Sequence, residues 1–96
     1  MIVKLNIDLS NGFEPWKKMF YANEHRLKEH GGSLMFAGTE KDNDNKLIVI
    51  MKFDTPEGLN NFATDEDLKK TRAEAGAKLE TTVVTLMNPE SFNKTD

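Results

Sequence analysis

His30 is the residue of this chain that could act as a base near neutral pH from inside the fold. Projecting the first predicted helix at about 100° per residue places Trp16, Phe20 and Leu27 at the centre of an inward apolar stripe. Asn23 falls within this stripe, and His30 lies near it in the last turn. We therefore predict His30 as a candidate catalytic residue and Asn23 as a ligand-orienting group. The alternative is structural, with Asn23 bonded to backbone and His30 capping the helix end, where a cation is favoured.

Arg72 is a candidate of a different kind, because its chemistry is that of anion binding. In the predicted helix it shares a face with Leu68 and Ala75, so its stem is expected to be buried. A buried Arg needs an anionic partner. That partner is either the carboxylate of a ligand or a nearby Glu or Asp, with the Arg stem lying along the apolar surface. The predicted ligand-binding residues are Trp16, Phe20, Asn23, Phe62 and Arg72.

The sequence lacks the residues that common metal, phosphate and thiolate sites require. The chain has no cysteine, which excludes thiolate nucleophiles and thiolate metal ligands. The two histidines are not four residues apart, and no glycine-rich phosphate loop occurs. The polar run at 42–45 has calcium-loop residue types but lacks the glycine and the final glutamate of an EF-hand loop. We therefore expect neither a metal nor a cofactor.

Charge and hydropathy restrict the partners. The formal net charge is −3, and the basic residues are spread along the chain. Nucleic acid is not an expected partner, because binding it needs a basic stripe. No apolar run approaches the roughly 20 residues of a membrane span, so we expect no membrane partner. A strand pattern follows Met1 at once, without a secretory signal, so we expect a cytoplasmic location.

Four strands are predicted to position these residues. The segment Ile2 to Leu9 alternates between apolar and polar residues, which is typical of a strand covered on one face. The second strand is predicted over about Ser33 to Glu40, and a polar hairpin loop follows over Glu40 to Lys46. The third strand is predicted over Leu47 to Asp54 and the fourth over about Lys78 to Met87.

Capping residues divide the helical segments. Asn11 is the predicted N-cap of the first helix, which ends near His30 at two glycines. Thr55 is predicted to cap the second helix, because a proline follows it at the first helical position. This helix is expected to break at a second capping pattern, Thr64 to Asp67, and to resume over Leu68 to Ala75.

The order β-α-β-β-α-β predicts an α+β, ferredoxin-like fold with a four-stranded antiparallel sheet and both helices on one face. We expect one domain over residues 1–96, with a C-terminal tail at 88–96. The third strand is apolar on both faces, with Val49 and Met51 on one and Ile48 and Ile50 on the other. Since the helices cover only one face, we predict a homodimer that buries the second.

The second sheet face also carries polar residues. By strand phase these are Lys4, Asn6, Asp8 and Lys52. They are expected to form hydrogen bonds in or around the dimer interface. The alternative is that Asp8 and Lys52 form an acid–base pair.

Three features together resemble the dimeric α/β-barrel superfamily. They are the element order, the segment Phe53 to Glu57 that follows the third strand, and the split helix Gly58 to Gly76. The chain is similar to antibiotic-biosynthesis-monooxygenase-like proteins and to haem-degrading monooxygenases. The resemblance implies a barrel of two facing sheets and a ligand cavity between helices and sheet. Haem degradation does not carry over, because Phe62 and Arg72 stand near the positions of the family's Trp and haem-ligating His, and Arg stays protonated.

Three functions remain open at this point. The first is a dimeric protein that binds a small apolar or amphipathic molecule; where this molecule bears a carboxylate, we expect Arg72 near the acid group. The second is a cofactor-free monooxygenase or isomerase that uses the same cavity. The third is a structural or regulatory dimer without a ligand.

Overall fold

A computed structural model of the chain describes residues 1–94. The last two residues of the predicted tail, Thr95 and Asp96, lie outside the described residues. The four strands form one antiparallel sheet in the order β2-β3-β1-β4, with the helices packed on one face, so the predicted ferredoxin-like fold is confirmed. The elements are β1 (Ile2–Leu9), α1 (Phe13–Glu29), β2 (Gly32–Glu40), β3 (Asn43–Phe53), α2 (Pro56–Ala63), α3 (Glu66–Glu74) and β4 (Ala77–Leu86).

The core lies between the helices and one sheet face. Alternate residues of the two central strands are buried there, as the alternation predicts. The helical side chains buried against them include Trp16 and Leu27 of α1. A side chain at Gly32 would overlap Leu27 and Phe53, so this glycine lets both pack against the strand backbone. The buried apolar residues of these two central strands are Val3, Leu5, Ile7, Leu9, Leu47, Val49, Met51 and Phe53.

The start of α1 differs from the prediction. Its N-cap is Gly12, with φ 79°, and no local side chain caps the helix, so the prediction of Asn11 was wrong. Instead the side chain of Asn45 accepts a hydrogen bond from the Gly12 N–H at 2.8 Å. Asp44 accepts one from the Phe13 N–H at 2.9 Å. Residues of the β2–β3 hairpin therefore satisfy two of the free backbone donors at the start of α1.

The hairpin itself is longer than predicted. The third strand begins at Asn43 rather than Leu47, so most of the predicted polar loop is paired strand with a two-residue turn. The sequence was misleading here because the arms of the hairpin are exposed near the turn and carry polar residues.

The second helical segment is split as predicted. The Thr55 side chain accepts a hydrogen bond from the Gly58 N–H at 3.0 Å, which confirms the cap of α2. The cap of α3 is Asp65 rather than Thr64, with Leu68 N–H as its donor at 3.1 Å. The same carboxylate lies 2.7 Å from Arg26 Nη2, so Asp65 also ties α3 to α1.

The sheet surface away from the helices, which we call the open face, carries Phe36, Ile48, Ile50 and Val83. Ile48 and Ile50 are half-buried, whereas Phe36 is 53% exposed and Val83 is 59% exposed. A side chain at Gly38 would meet the Phe36 ring at 3.0 Å, so this ring lies over the glycine. An apolar surface is thus left uncovered at the centre of the open face.

On the open face, Asp8 pairs with a different lysine from the one predicted. Asp8 forms an ion pair with Lys46 at 2.8 Å. Lys52 lies opposite Ile2, six residues along β1 from Asp8, which is about 20 Å in an extended strand. The acid–base pair suggested for Asp8 and Lys52 is therefore wrong.

Within residues 1–94, no helix is both long and apolar enough to cross a membrane.

Candidate functional site

A groove of about 390 Å³ lies between α2, α3 and the sheet. We call it the outer groove. Its sheet side is formed by Leu5, Met51 and Val84, and its helix side includes Leu59. The polar residues at its border include Lys69. This volume is in the range of small-molecule sites, which are mostly apolar with a few polar groups.

A smaller cavity of about 40 Å³, the inner chamber, lies beside the outer groove on the side of α1. The two share four wall residues, which makes them neighbours in space. The inner chamber adds residues from α1, with Trp16 and Phe20 on its wall. The shared residues are Leu5, Met51, Phe62 and Arg72.

Arg72 stands at the junction of the two cavities. Its Nε donates a hydrogen bond to the Leu68 carbonyl oxygen at 3.3 Å, and its Cζ lies 5.3 Å from the centre of the Phe62 ring. Burial lowers the pKa of the Arg72 guanidinium, while the negative charge of Asp65 raises it in part. In the described part of the chain Arg72 has no ion pair with a carboxylate. A half-buried guanidinium that stays protonated therefore has donors left for an anion.

Trp16 forms the inner end of the site. The residue is only 5% exposed, and its ring stacks between Phe13 and Phe20, with centroid distances of 6.0 Å and 5.6 Å. The indole Nε1 is buried and has no hydrogen-bond partner among residues 1–94. Buried donors are normally paired, so this N–H needs an explanation.

The two other predicted residues are placed outside the walls of both cavities. The Asn23 side chain donates to the carbonyl oxygen of Met19 at 2.9 Å, one turn earlier in α1. His30 lies at the C-terminal end of α1, where its Nε2 is 3.1 Å from Asp65 Oδ2. Its ring meets Phe62 edge to face at 6.2 Å between centroids, so His30 is next to the site without lining it.

The Asp65 carboxylate contacts both His30 and Arg26 beside the site. The hydrogen bond from His30 and the one from the Leu68 N–H lower the pKa of the Asp65 carboxyl, and Arg26 lowers it further. The carboxylate fixes the start of α3, the helix that carries Arg72. Its role in the described structure is therefore to position the helix side of the outer groove.

The structure thus brings together Trp16, Phe20, Phe62 and Arg72 of the predicted set. It adds residues that the sequence did not single out, among them Leu59, Lys69 and Val84. The helical spacing of Leu59 and Phe62 was a usable signal. No sequence signal indicated Val84, because the fourth strand has Thr and Val on both faces and no clear alternation.

The four-stranded antiparallel sheet and the element order place the chain among the ferredoxin-like α+β proteins. Within this class, the chain belongs to the family described as Domain of unknown function (DUF3764), whose model matches residues 2–88. The match ends where the predicted tail begins. No curated protein matches the chain.

Solved structures of similar fold include proteins from three named organisms. Protein Atu4242 of Agrobacterium tumefaciens has 16% identity and a TM-score of 0.58, with 96% of each chain covered. A Deinococcus radiodurans protein, provisionally assigned as an antibiotic biosynthesis monooxygenase, has 9% identity and a TM-score of 0.58, with both chains fully covered. An uncharacterised NIPSNAP domain protein of Burkholderia xenovorans has 11% identity and a TM-score of 0.55, covering 97% of this chain and 100% of its own. At these identities the likeness is one of fold, and it confirms the predicted resemblance at that level.

Proposed function

We propose that this protein binds a small amphipathic molecule, with an apolar body and an acidic group, in the outer groove. The observation that carries the proposal is a groove of about 390 Å³ with mostly apolar walls and one half-buried Arg, Arg72, that lacks a carboxylate partner in the described residues. Desolvating a guanidinium is costly unless an anion approaches it. A ligand carboxylate supplies that anion and the apolar contacts together.

The proposal includes a homodimer formed through the open face. Its support is the exposed Phe36 and Val83 beside the half-buried Ile48 and Ile50, an apolar patch in the middle of a sheet. Such patches on a small domain mark interaction surfaces. A second copy presents the same patch and so covers it by two-fold symmetry. The expected cytoplasmic location stays a prediction.

Binding is favoured over the alternative of a cofactor-free monooxygenase or isomerase. A general base must reach the substrate within hydrogen-bond distance, directly or through one water. His30, the residue predicted for that role, lies outside the groove walls with Nε2 beside Asp65. The cavity also favours ligand binding over a structural dimer with a filled core.

The binding proposal is tested by calorimetry with decanoate and 1-decanol as probes. Decanoate is expected to bind the wild type more tightly than decanol. Arg72→Ala is expected to weaken decanoate about tenfold or more, because a hydrogen bond to a charged group contributes about 1.5–3 kcal/mol. Lys70→Ala is the control, since Lys70 is an exposed cation of the same helix that does not line the groove.

Equal losses for both probes in Arg72→Ala would count against an anion-binding role. Native mass spectrometry of freshly purified protein tests the dimer and any ligand retained from the host in the same spectrum. A monomer at micromolar concentration would contradict the assembly.

A further inference from the structure

The pairing of β4 with β1 is interrupted by a large bulge. The register is regular at both ends of β4, but four of its residues, 79–82, stand opposite the single residue Ile7. We call this segment the β4 bulge. Since β4 is an edge strand, β1 is its only pairing partner within residues 1–94. Bulges bend a strand and redirect its side chains, and they are frequent at sheet edges and beside functional sites.

The β4 bulge reverses the alternation of the strand. Ala77 pairs with Leu9 and Val84 pairs with Leu5, and both leucines are buried on the helix side of the sheet. Paired residues face the same side, so Ala77 and Val84 both face the helices. An odd number of positions separates them, and a regular strand would turn them to opposite sides. The bulge therefore decides which side chains of β4 face the helices.

Two residues of the bulge form part of the outer groove. Leu79 and Thr82 are both wall residues there, although a regular strand would turn residues at this spacing to opposite sides. Thr81 instead lines a hollow on the open face, beside Asn6 and Val83. The sheet edge of the outer groove therefore has its present shape only while the bulge keeps its conformation.

The Thr81 hydroxyl holds the bulge at two points. It accepts a hydrogen bond from the Asp8 N–H of β1 at 2.9 Å. It donates one to the Lys78 carbonyl oxygen, at the start of the bulge, at 2.6 Å. A hydroxyl can make both bonds, since it is a donor and an acceptor, whereas a valine side chain of similar shape can make neither.

We infer that Thr81 is a positioning residue for the outer groove: its hydroxyl holds the β4 bulge in the conformation that presents Leu79 and Thr82 to the apolar body of the ligand. This inference rests on the proposed function and adds to it a residue that lies outside the groove wall. Arg72 acts on the charge of the ligand, whereas the bulge acts on the shape of the groove. The two effects are therefore separable with a charged and a neutral probe.

Calorimetry well below Tm measures the effect of the hydroxyl. Thr81→Val is expected to weaken decanoate and 1-decanol alike, by about threefold to tenfold, because a released bulge leaves the groove competent for only part of the time. Thr81→Ser keeps the hydroxyl and is expected to bind both probes within about twofold of the wild type. Thr85→Val is the control, because Thr85 is exposed on the same strand beyond the bulge. A purely structural role would lower Tm and leave these affinities unchanged.

Hydrogen exchange of the wild type supplies a measurement that needs no variant. The Asp8 amide exchanges when its bond to Thr81 opens. Saturating decanoate is expected to slow this exchange at least about fivefold, because the ligand binds the closed bulge. The Gly12 amide is the control, since it also bonds to a side chain and lies outside the groove wall. Its exchange is expected to stay unchanged, and equal slowing of both amides would overturn the inference.

The outcomes separate the two proposals. Decanoate that binds in an Arg72-dependent way and binds Thr81→Val as tightly as the wild type would overturn the inference and leave the proposed function intact. A loss in Thr81→Ser equal to that in Thr81→Val would overturn the role of the hydroxyl. A loss confined to decanoate would overturn the assigned effect on shape. Failure of both probes to bind the wild type would overturn the proposed function, and the inference with it.

Discussion

Replacing Gly58 by alanine sets helix propensity against packing. Gly58 lies in the first turn of α2 and is buried. An added Cβ would overlap the backbone carbonyl oxygen of His30, well inside the 3.0 Å that real Cβ atoms keep. A backbone oxygen at the end of α1 cannot rotate away as a side chain can. The substitution therefore forces α2 away from α1, and with it one side of the outer groove.

The magnitude follows from two opposing terms. Alanine is favoured over glycine within a helix by up to about 1 kcal/mol. Overpacking costs about 1–3 kcal/mol, and we take the upper end because the neighbour of Gly58 is backbone. The net effect is a loss of about 2 kcal/mol in the free energy of unfolding. For a domain of this size that lowers Tm by roughly 8–16 °C.

Thermal unfolding followed by circular dichroism, at one protein concentration, measures this effect. Asn61→Ala is the matched control, because Asn61 is exposed on the same helix and its replacement changes propensity alone. It is expected to leave Tm unchanged or slightly raised. If Gly58→Ala raised Tm as well, the close approach of α2 to the end of α1 would be refuted.

Three further predictions address the dimer, a cap and the response to acid. Ile50→Lys is expected to give a monomer in light scattering, because it places an unpaired charge beside Lys4 in the proposed interface. Thr55→Ala is expected to lower the free energy of unfolding in urea by about 1 kcal/mol, through loss of the bond from the Gly58 N–H. The pKa of the Asp65 carboxyl in the folded protein lies below its ordinary value of 3.8. The ionised carboxylate therefore stabilises the fold above pH 3.8, and this stabilisation is lost as pH falls from there through the lower pKa of the folded state. Asp65→Asn should therefore show a smaller drop in Tm than the wild type between about pH 5 and pH 3.

Controls for these measurements come from conservative or remote changes. Asn61→Lys adds the same charge as Ile50→Lys on an exposed helix position, and a dimer in both variants would contradict the open-face interface. Thr55→Ser keeps a hydroxyl at the cap, so an equal loss in both variants would show that the hydrogen bond is not responsible. For Asp65, acid sensitivity identical to that of the wild type would assign the transition to other carboxyls.

Strand positions and the buried face of α1 could be predicted because their signals are local. The alternation of Ile2 to Leu9 and the spacing of Trp16, Phe20 and Leu27 each depend on burial of one face. The capping role of Thr55 could be predicted as well, since a cap side chain bonds within its own turn of helix. These signals place most of the sheet and the centre of the site.

Long-range contacts explain what the sequence did not predict. The acceptors at the start of α1 are Asp44 and Asn45, 31 and 33 residues from their donors. The position of His30 was predicted, but its contact with Asp65 depends on how α3 packs against α1. The unpaired donor of Trp16 is a property of the folded interior, because a helix projection shows where the ring points and not what its nitrogen meets.

The hairpin contact at the start of α1 has a consequence for the order in which the chain acquires structure. A peptide of residues 12–30 contains the helix but neither Asp44 nor Asn45, and isolated helices of this length are marginal in water. As the chain leaves the ribosome, this segment emerges well before its acceptors do. The first helix is therefore expected to become stable only after the following hairpin has closed. The N-terminal half of the chain is then expected to fold as one cooperative unit.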